Sequence, residues 1–298
     1  MEPLMPGAGL SDLGRPRDRY DLSQRADFGS LRSRQRRDRK LARRIKEAAE
    51  QASSGAGQDH LAALAHHLQY AERAEEAPIS RASYVGQGYV RLLVGSDVYR
   101  LADRAQRQGV PITFGTLAFR GGAIRPHQLV GVDPRRWGRQ LRADLDRIRK
   151  RQGLTGPGWS TWFLDCDYLQ VEGMFLFHWH GLATGSELEA YRALRKLRKY
   201  RSCKQGPDDQ RDAVKQRARG SRKPLYDIGY LCLYMLKEEW PSQPAARNVA
   251  GNRKRSFPRP LPEHLRPAER LFFDQWPIQA ISVMRGLRVV NGRLQPTR

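Results

Sequence analysis

The chain is expected to adopt an α+β fold, and three observations carry that expectation. Residues 160–168 and 174–183 are apolar, β-branched and aromatic runs at hairpin spacing, which makes them an antiparallel pair. A similar run at 111–119 (PITFGTLAF) precedes them. Helical patterns with start signals lie between and after these strands. At 298 residues the chain is long enough for one sizeable domain with extensions, or two small ones, to bury an adequate core.

The elements follow in order. Residues 1–78 hold 14 basic and 12 acidic side chains, but 32–46 alone carries nine Lys or Arg against one Asp. That stretch reads either as an arm gripping DNA or as a solvated helix. Leu61, Leu64 and Leu68 recur at helical spacing within 60–75. The first 78 residues are therefore expected as a basic extension, helical or partly disordered.

Strand 111–119 is expected to end at Gly121 and Gly122. Asp133 followed by Pro134 marks a helix start, with Trp137, Leu141, Leu145 and Ile148 on its apolar face and an end near Gly153. The two hairpin strands follow, joined by a turn at 170–173. Ser186 to Glu189 (SELE) has the pattern of a capping box, opening a helix to about Tyr200. Residues 192–223 carry thirteen Lys or Arg against three Asp, the steepest charge in the chain. After Pro224 comes a hydrophobic helical run, LYDIGYLCLYMLKEEW, stopped by Pro241. The expected organisation is thus an extension over 1–78, a central domain over 79–241, and a Pro/Arg-rich extension over 242–298 with one helix at 262–273.

Composition restricts the partners. A formal charge of +23 puts acidic polymers first. A hydrophobic content of 39% with six Trp is too much for a disordered tail. The apolar runs fall short of the ~20 residues a membrane-spanning helix needs. The start of the chain has no apolar run behind a basic flank, so a cytoplasmic protein is expected. Cys166, Cys203 and Cys232 form no CxxC pair, which argues against a disulfide framework or a thiolate zinc site.

One arrangement carries chemistry. In His178-Trp179-His180 the period of a strand puts both imidazoles on one face, while Trp179 joins Phe175 and Phe177 on the core side. Two imidazoles on a rigid strand can chelate a divalent cation if a third ligand lies nearby. A turn centred between Val171 and Glu172 sets Asp165 opposite His178, with Trp162, Leu164 and Cys166 facing the core and Phe163, Asp165 and Asp167 sharing the histidine face. Asp165 is the first choice of carboxylate ligand, Asp167 or Glu172 the alternative. The bland reading is two strand histidines without a metal.

Tyr226, Tyr230 and Tyr234 recur at helical spacing, with Lys237 three residues further on. Such stripes usually pack. Here they accompany a metal-capable strand in a basic protein, a set that suits transesterification of a phosphodiester. A phenol with a pKa near ~10 is a weak nucleophile at neutral pH, and a divalent metal stabilises the charge that develops on attack. A phosphotyrosyl bond keeps the energy of the cut linkage, so rejoining needs no ATP. No GxxxxGK[ST] motif is present.

These residues resemble the HUH endonuclease superfamily, in particular the rolling-circle replication initiators of plasmids and small phages. His178-Trp179-His180 is similar to the family's His-hydrophobic-His motif. YLCLYMLK (Tyr230 to Lys237) is similar to the two-tyrosine motif of the phage-type initiators, and GTLAF (Gly115 to Phe119) to the first-strand motif. The match covers about residues 110–240. Leu233, where Lys is common, and Gly181, where a larger apolar residue is usual, depart from the pattern.

The resemblance implies a central antiparallel sheet, with helices on one face and the metal and DNA on the other. It implies that His178 and His180 bind Mg²⁺ or Mn²⁺, that Tyr230 and Tyr234 are the nucleophiles, and that Lys237 orients or neutralises the phosphate, leaving Tyr226 structural. The activity implied is site-specific nicking of single-stranded or supercoiled origin DNA, with a host helicase and DNA polymerase as partners. Basic segments 32–46, 192–223 and 247–270 would contact phosphates. A transposase or mobilisation relaxase would use the same chemistry. A non-catalytic basic nucleic-acid-binding protein is the alternative of another class.

Overall fold

The computed structural model describes residues 30–51, 56–70, 82–194, 197, 200, 225–243, 258–290 and 293–297. Among these, helices α1 (Leu31–Gln51), α2 (Ala56–Tyr70), α3 (Tyr84–Val90) and α4 (Ser96–Arg107) precede strand β1 (Ile112–Ile124). Helix α5 (Arg135–Gln152), strands β2 (Ser160–Leu169) and β3 (Met174–Thr184), and helices α6 (Gly185–Leu194) and α7 (Ile228–Met235) follow. Strands β4 (Pro241–Gln243) and β5 (Arg259–Pro260), helix α8 (Arg266–Gln275), and strands β6 (Ser282–Arg285), β7 (Leu287–Val290) and β8 (Arg293–Pro296) complete the chain. No helix among the described residues is long and apolar enough to cross a membrane.

The fold is α+β, built on a sheet of order β1-β3-β2-β4-β5 with β6 also paired to β2. The β2–β3 hairpin has the expected register, Asp165 opposite His178, running from Ser160↔Ala183 to Leu169↔Met174. Its turn closes through Gly173, whose φ of +61° only glycine adopts at little cost. Trp162, Leu164, Cys166, Phe175, Phe177 and Trp179 all point into one core with Trp137, Leu141, Leu145 and Ile148 of α5. Burying each of these large side chains contributes roughly 1.5–3 kcal/mol.

Two features of the expected sheet need correction. It is mixed, because β4 runs parallel to β2. Helices also cover both faces. α5, α6 and α8 pack on one, while α4 and α7 pack on the other through Val98, Leu101, Ile228, Cys232 and Leu233, against Phe114, Phe163 and Leu182. The histidine face carries enough apolar strand residues to bury a second layer.

Local signals fared unevenly. Gly121 and Gly122 do not end β1; they let it bulge, and the register shifts between Ala118 and Ala123 before pairing resumes with Leu176 and Phe175. The capping box at Ser186 does not form. The helix already starts at Gly185, and Ser186 is held through its backbone N–H, which donates to the Pro157 carbonyl at 3.1 Å. Glu187, fully buried, instead accepts from Arg149 at 2.6 Å and Arg285 at 2.8 Å. The helix expected at 262–273 is α8, preceded by a 3₁₀ turn at Glu263–Leu265.

Both flanks pack onto the central segment. α1 and α2 share a core with Tyr84 and with Leu271 of α8, and β6 extends the sheet. Of the basic run 32–46, Arg34, Arg37 and Arg44 are engaged with Glu238, Glu239 and Glu263. Most of the basic segment 192–223, and 247–257, lie outside the described residues.

Candidate metal centre

The centre begins with the hairpin. Strand alternation turns His178 and His180 to one face, and the register lays the Asp165 side chain beside them. His178 Nε2 and His180 Nε2 are 2.9 Å apart, and Asp165 Oδ2 lies 3.4 Å from the first and 3.1 Å from the second. All three side chains are buried, and among the described residues they are the one His/Cys/Asp/Glu group spaced to hold a metal ion.

The donor set fits a cation. Bonds of about 2.1 Å at right angles place neighbouring ligand atoms about 3.0 Å apart, close to the spacing of these three. Each imidazole is also oriented from behind. His178 Nδ1–H donates to the Leu176 carbonyl at 3.1 Å, and His180 Nδ1 pairs with Thr116 Oγ1 at 2.9 Å. Both contacts leave Nε2 aimed at the shared centre, the arrangement that ligating histidines use. Thr116 sits opposite His180 in the β1–β3 ladder, so the weak first-strand segment supplies an orienting hydroxyl.

Electrostatics follow from the packing. Burial by itself would raise the Asp165 carboxyl, but Lys237 and the two histidines outweigh it and hold it well below the usual range. Burial opposes charge on His178, yet Asp165 and Asp167 raise its pKa. Burial and the charge on His178 bring His180 down to about 4. The two imidazoles are thus pushed in opposite directions, and a cation entering the centre would compete with protons for their nitrogens.

Lys237 and Tyr234 complete the surroundings. The Lys237 ammonium hydrogen-bonds Asp165 Oδ2 and lies 4.0 Å from Asp167 Oδ1. Burial would lower its pKa, and the two carboxylates more than compensate and raise it. The Tyr234 ring packs against His180, with centroids 4.8 Å apart, and beneath the Lys237 ammonium at 4.4 Å. Burial raises the Tyr234 phenol, and the Lys237 charge acts against that. Phe114 stacks on His180 with centroids 5.6 Å apart and meets the Tyr234 ring edge-on at 6.0 Å.

Tyr230 lies one turn before Tyr234, its ring 6.0 Å away and half exposed at 50%. Asp227 caps the helix by accepting from the Tyr230 N–H at 2.8 Å, a contact worth about 1 kcal/mol. Tyr226 precedes this cap, outside the helix and 96% exposed, so the three-tyrosine spacing is not a helical stripe and Tyr226 packs on nothing. The helix ends at Met235, so Lys237 reaches Asp165 from the segment that follows, not from the helix face. Asp167 and Glu172 fall outside the donor triangle, Asp167 one pleat along the strand and Glu172 in the turn.

Composition and spacing gave no warning of what holds that segment. Glu238 accepts from Arg34 at 2.6 Å, Arg91 at 2.7 Å and Arg37 at 3.0 Å. Glu239 accepts from Arg37 and Arg266, each at 2.8 Å, and from the Tyr84 hydroxyl. Trp240 N–H donates to Glu269 at 2.6 Å. Gly181 is explained by close approach: a Cβ there would lie 2.3 Å from the Thr161 carbonyl and against the Trp162 ring.

No family model, curated protein or solved structure matches this chain.

Proposed function

We propose that the protein is a metal-dependent tyrosine nickase and strand transferase of single-stranded DNA, of the HUH kind, that initiates rolling-circle replication. The observation that carries this reading is the packing of the Tyr234 ring against His180, beside the donor triangle and under Lys237. It brings a phenol, a candidate cation site and the ammonium paired to Asp165 within one small region.

A divalent cation, Mg²⁺ or Mn²⁺, held by Asp165, His178 and His180 would polarise the scissile phosphate and offset the charge that builds on it. Tyr234 Oη attacks phosphorus; the new bond is Oη–P, the broken bond is P–O3′, and the proton lost by the phenol ends on the departing 3′-oxygen. The 5′ end stays on the protein and the 3′-hydroxyl is free for a polymerase. Lys237 steadies the phosphate and the phenolate. Tyr230, exposed and one turn away, acts on a second strand while Tyr234 is occupied. The same chemistry would serve a transposase or a relaxase, and the DNA site distinguishes them.

Incubation with labelled circular single-stranded DNA and Mn²⁺, followed by a denaturing gel and mass spectrometry, tests the reading. A covalent oligonucleotide on Tyr234 or Tyr230 is expected. Folded, DNA-binding protein that gives no adduct even with DNA from its own replicon would be a non-catalytic binder.

A further inference from the structure

Among the described residues, one concentration of exposed positive charge lies away from the metal centre, on α5. This helix buries Trp137, Leu141, Leu145 and Ile148 against the core side of the sheet, the side opposite His178 and His180. Its outer face presents Arg136, Arg139, Arg142, Lys150 and Arg151, all exposed. The acids nearby are already engaged: Asp133 by Arg135, Asp144 by Gln140, Tyr200 and Arg147, and Asp146 by Arg285. Among the described residues, none of the five outer cations has an ion-pair partner within reach; the nearest influence is that of Arg139 on Asp133.

Like charges three and four residues apart weaken a helix, so the face favours an anionic partner. From Arg136 to Lys150 the helix advances about 21 Å, with its cations spread over the exposed half of its surface. We infer that the outer face of α5 is a second nucleic-acid surface, which takes the phosphate backbone of duplex DNA without reading its sequence. The duplex is favoured over a single strand because single strands are held by bases stacked on aromatic rings. The outer face of α5 offers none, since Trp137 is buried, whereas the exposed Tyr226 and Tyr230 stand beside the histidine face. Phosphate contacts alone suit a stiff duplex. The protein would hold double-stranded DNA on one side of its sheet and a single strand on the other.

The test needs no cleavage and stands apart from the nickase reading. Binding of a random-sequence 25-mer, as duplex and as single strand, is followed by fluorescence anisotropy across a salt series. The wild type is compared with a triple variant, Arg139→Ala, Arg142→Ala and Lys150→Ala. These positions are exposed and alanine favours helix, so the fold is retained; circular dichroism checks this. Loss of three phosphate contacts should lower the slope of log affinity against log salt by about 2.7 and weaken duplex binding at least about tenfold at low salt. Single-strand affinity should stay within about twofold. An Arg139→Lys, Arg142→Lys variant keeps its charge and should bind as wild type does. Unchanged duplex affinity and slope would overturn the inference, and an equal loss for duplex and single strand would overturn the assignment of the surface to duplex.

Discussion

The Lys237 ammonium hydrogen-bonds the same oxygen, Asp165 Oδ2, that faces both His178 Nε2 and His180 Nε2. A metal ion at the centre would compete with the ammonium for one carboxylate oxygen, and its binding would release Lys237 toward whatever anion arrives with it.

Lys237→Met removes the competitor. Mn²⁺ should bind several-fold more tightly by calorimetry while DNA cleavage falls by about 100-fold, because charge stabilisation of this kind is worth roughly that much. If metal affinity and cleavage fall together, Lys237 supports the donor triangle and does not compete with the ion. Asp165→Asn and His178→Ala should abolish metal binding yet keep most DNA affinity.

The two tyrosines should separate. With Tyr234, packed against His180, proposed for the first cut, Tyr234→Phe should lower nicking by at least about 100-fold in a protein that still folds and binds DNA. Tyr230→Phe should leave the first cut and suppress transfer to a second strand. Normal nicking by the double variant would remove both from the chemistry.

Thr116→Val tests the orienting contact on His180. With no partner at 2.9 Å the imidazole is free to rotate, and metal affinity should fall by about 10-fold, as is usual for a lost outer partner of a ligating histidine. Unfolding temperature should change little, since the side-chain shape is kept.

Glu239 links stability to pH. Burial opposes its charge, but Tyr84, Arg37, Arg270 and Arg266 prevail and lower the carboxyl to about 2, from an ordinary value of 4.5. A lowered carboxyl contributes stability above its unfolded pKa and loses it as pH falls through the folded value. The contribution, about 3 kcal/mol at neutral pH, should therefore fade between about pH 5 and pH 2. Glu239→Gln should melt below wild type at pH 7, with the gap narrowing at pH 3. A gap of constant size would show that charge on Glu239 does not hold this segment.

Much of the centre was legible in the chain itself. The alternation of β2 and β3 and the length of their turn determined that Asp165 faces His178, that His180 shares its side, and that Trp179 does not. Local covalent geometry requires this: a strand has a period of two, and a four-residue turn leaves one register that buries the aromatic face. The α+β class and the helix at 135–152 were equally local. Tertiary structure decided the rest. That β4 joins parallel to β2, that α4 and α7 cover the histidine face, and that Tyr226 stands off the helix depend on contacts between segments far apart in sequence. So does the position of Lys237, which rests on Glu238 and Glu239 being gripped by arginines some 200 and 30 positions away. Such contacts have no sequence period to announce them, because the partners are chosen by which surfaces remain to be buried and which charges remain to be paired once the sheet has formed.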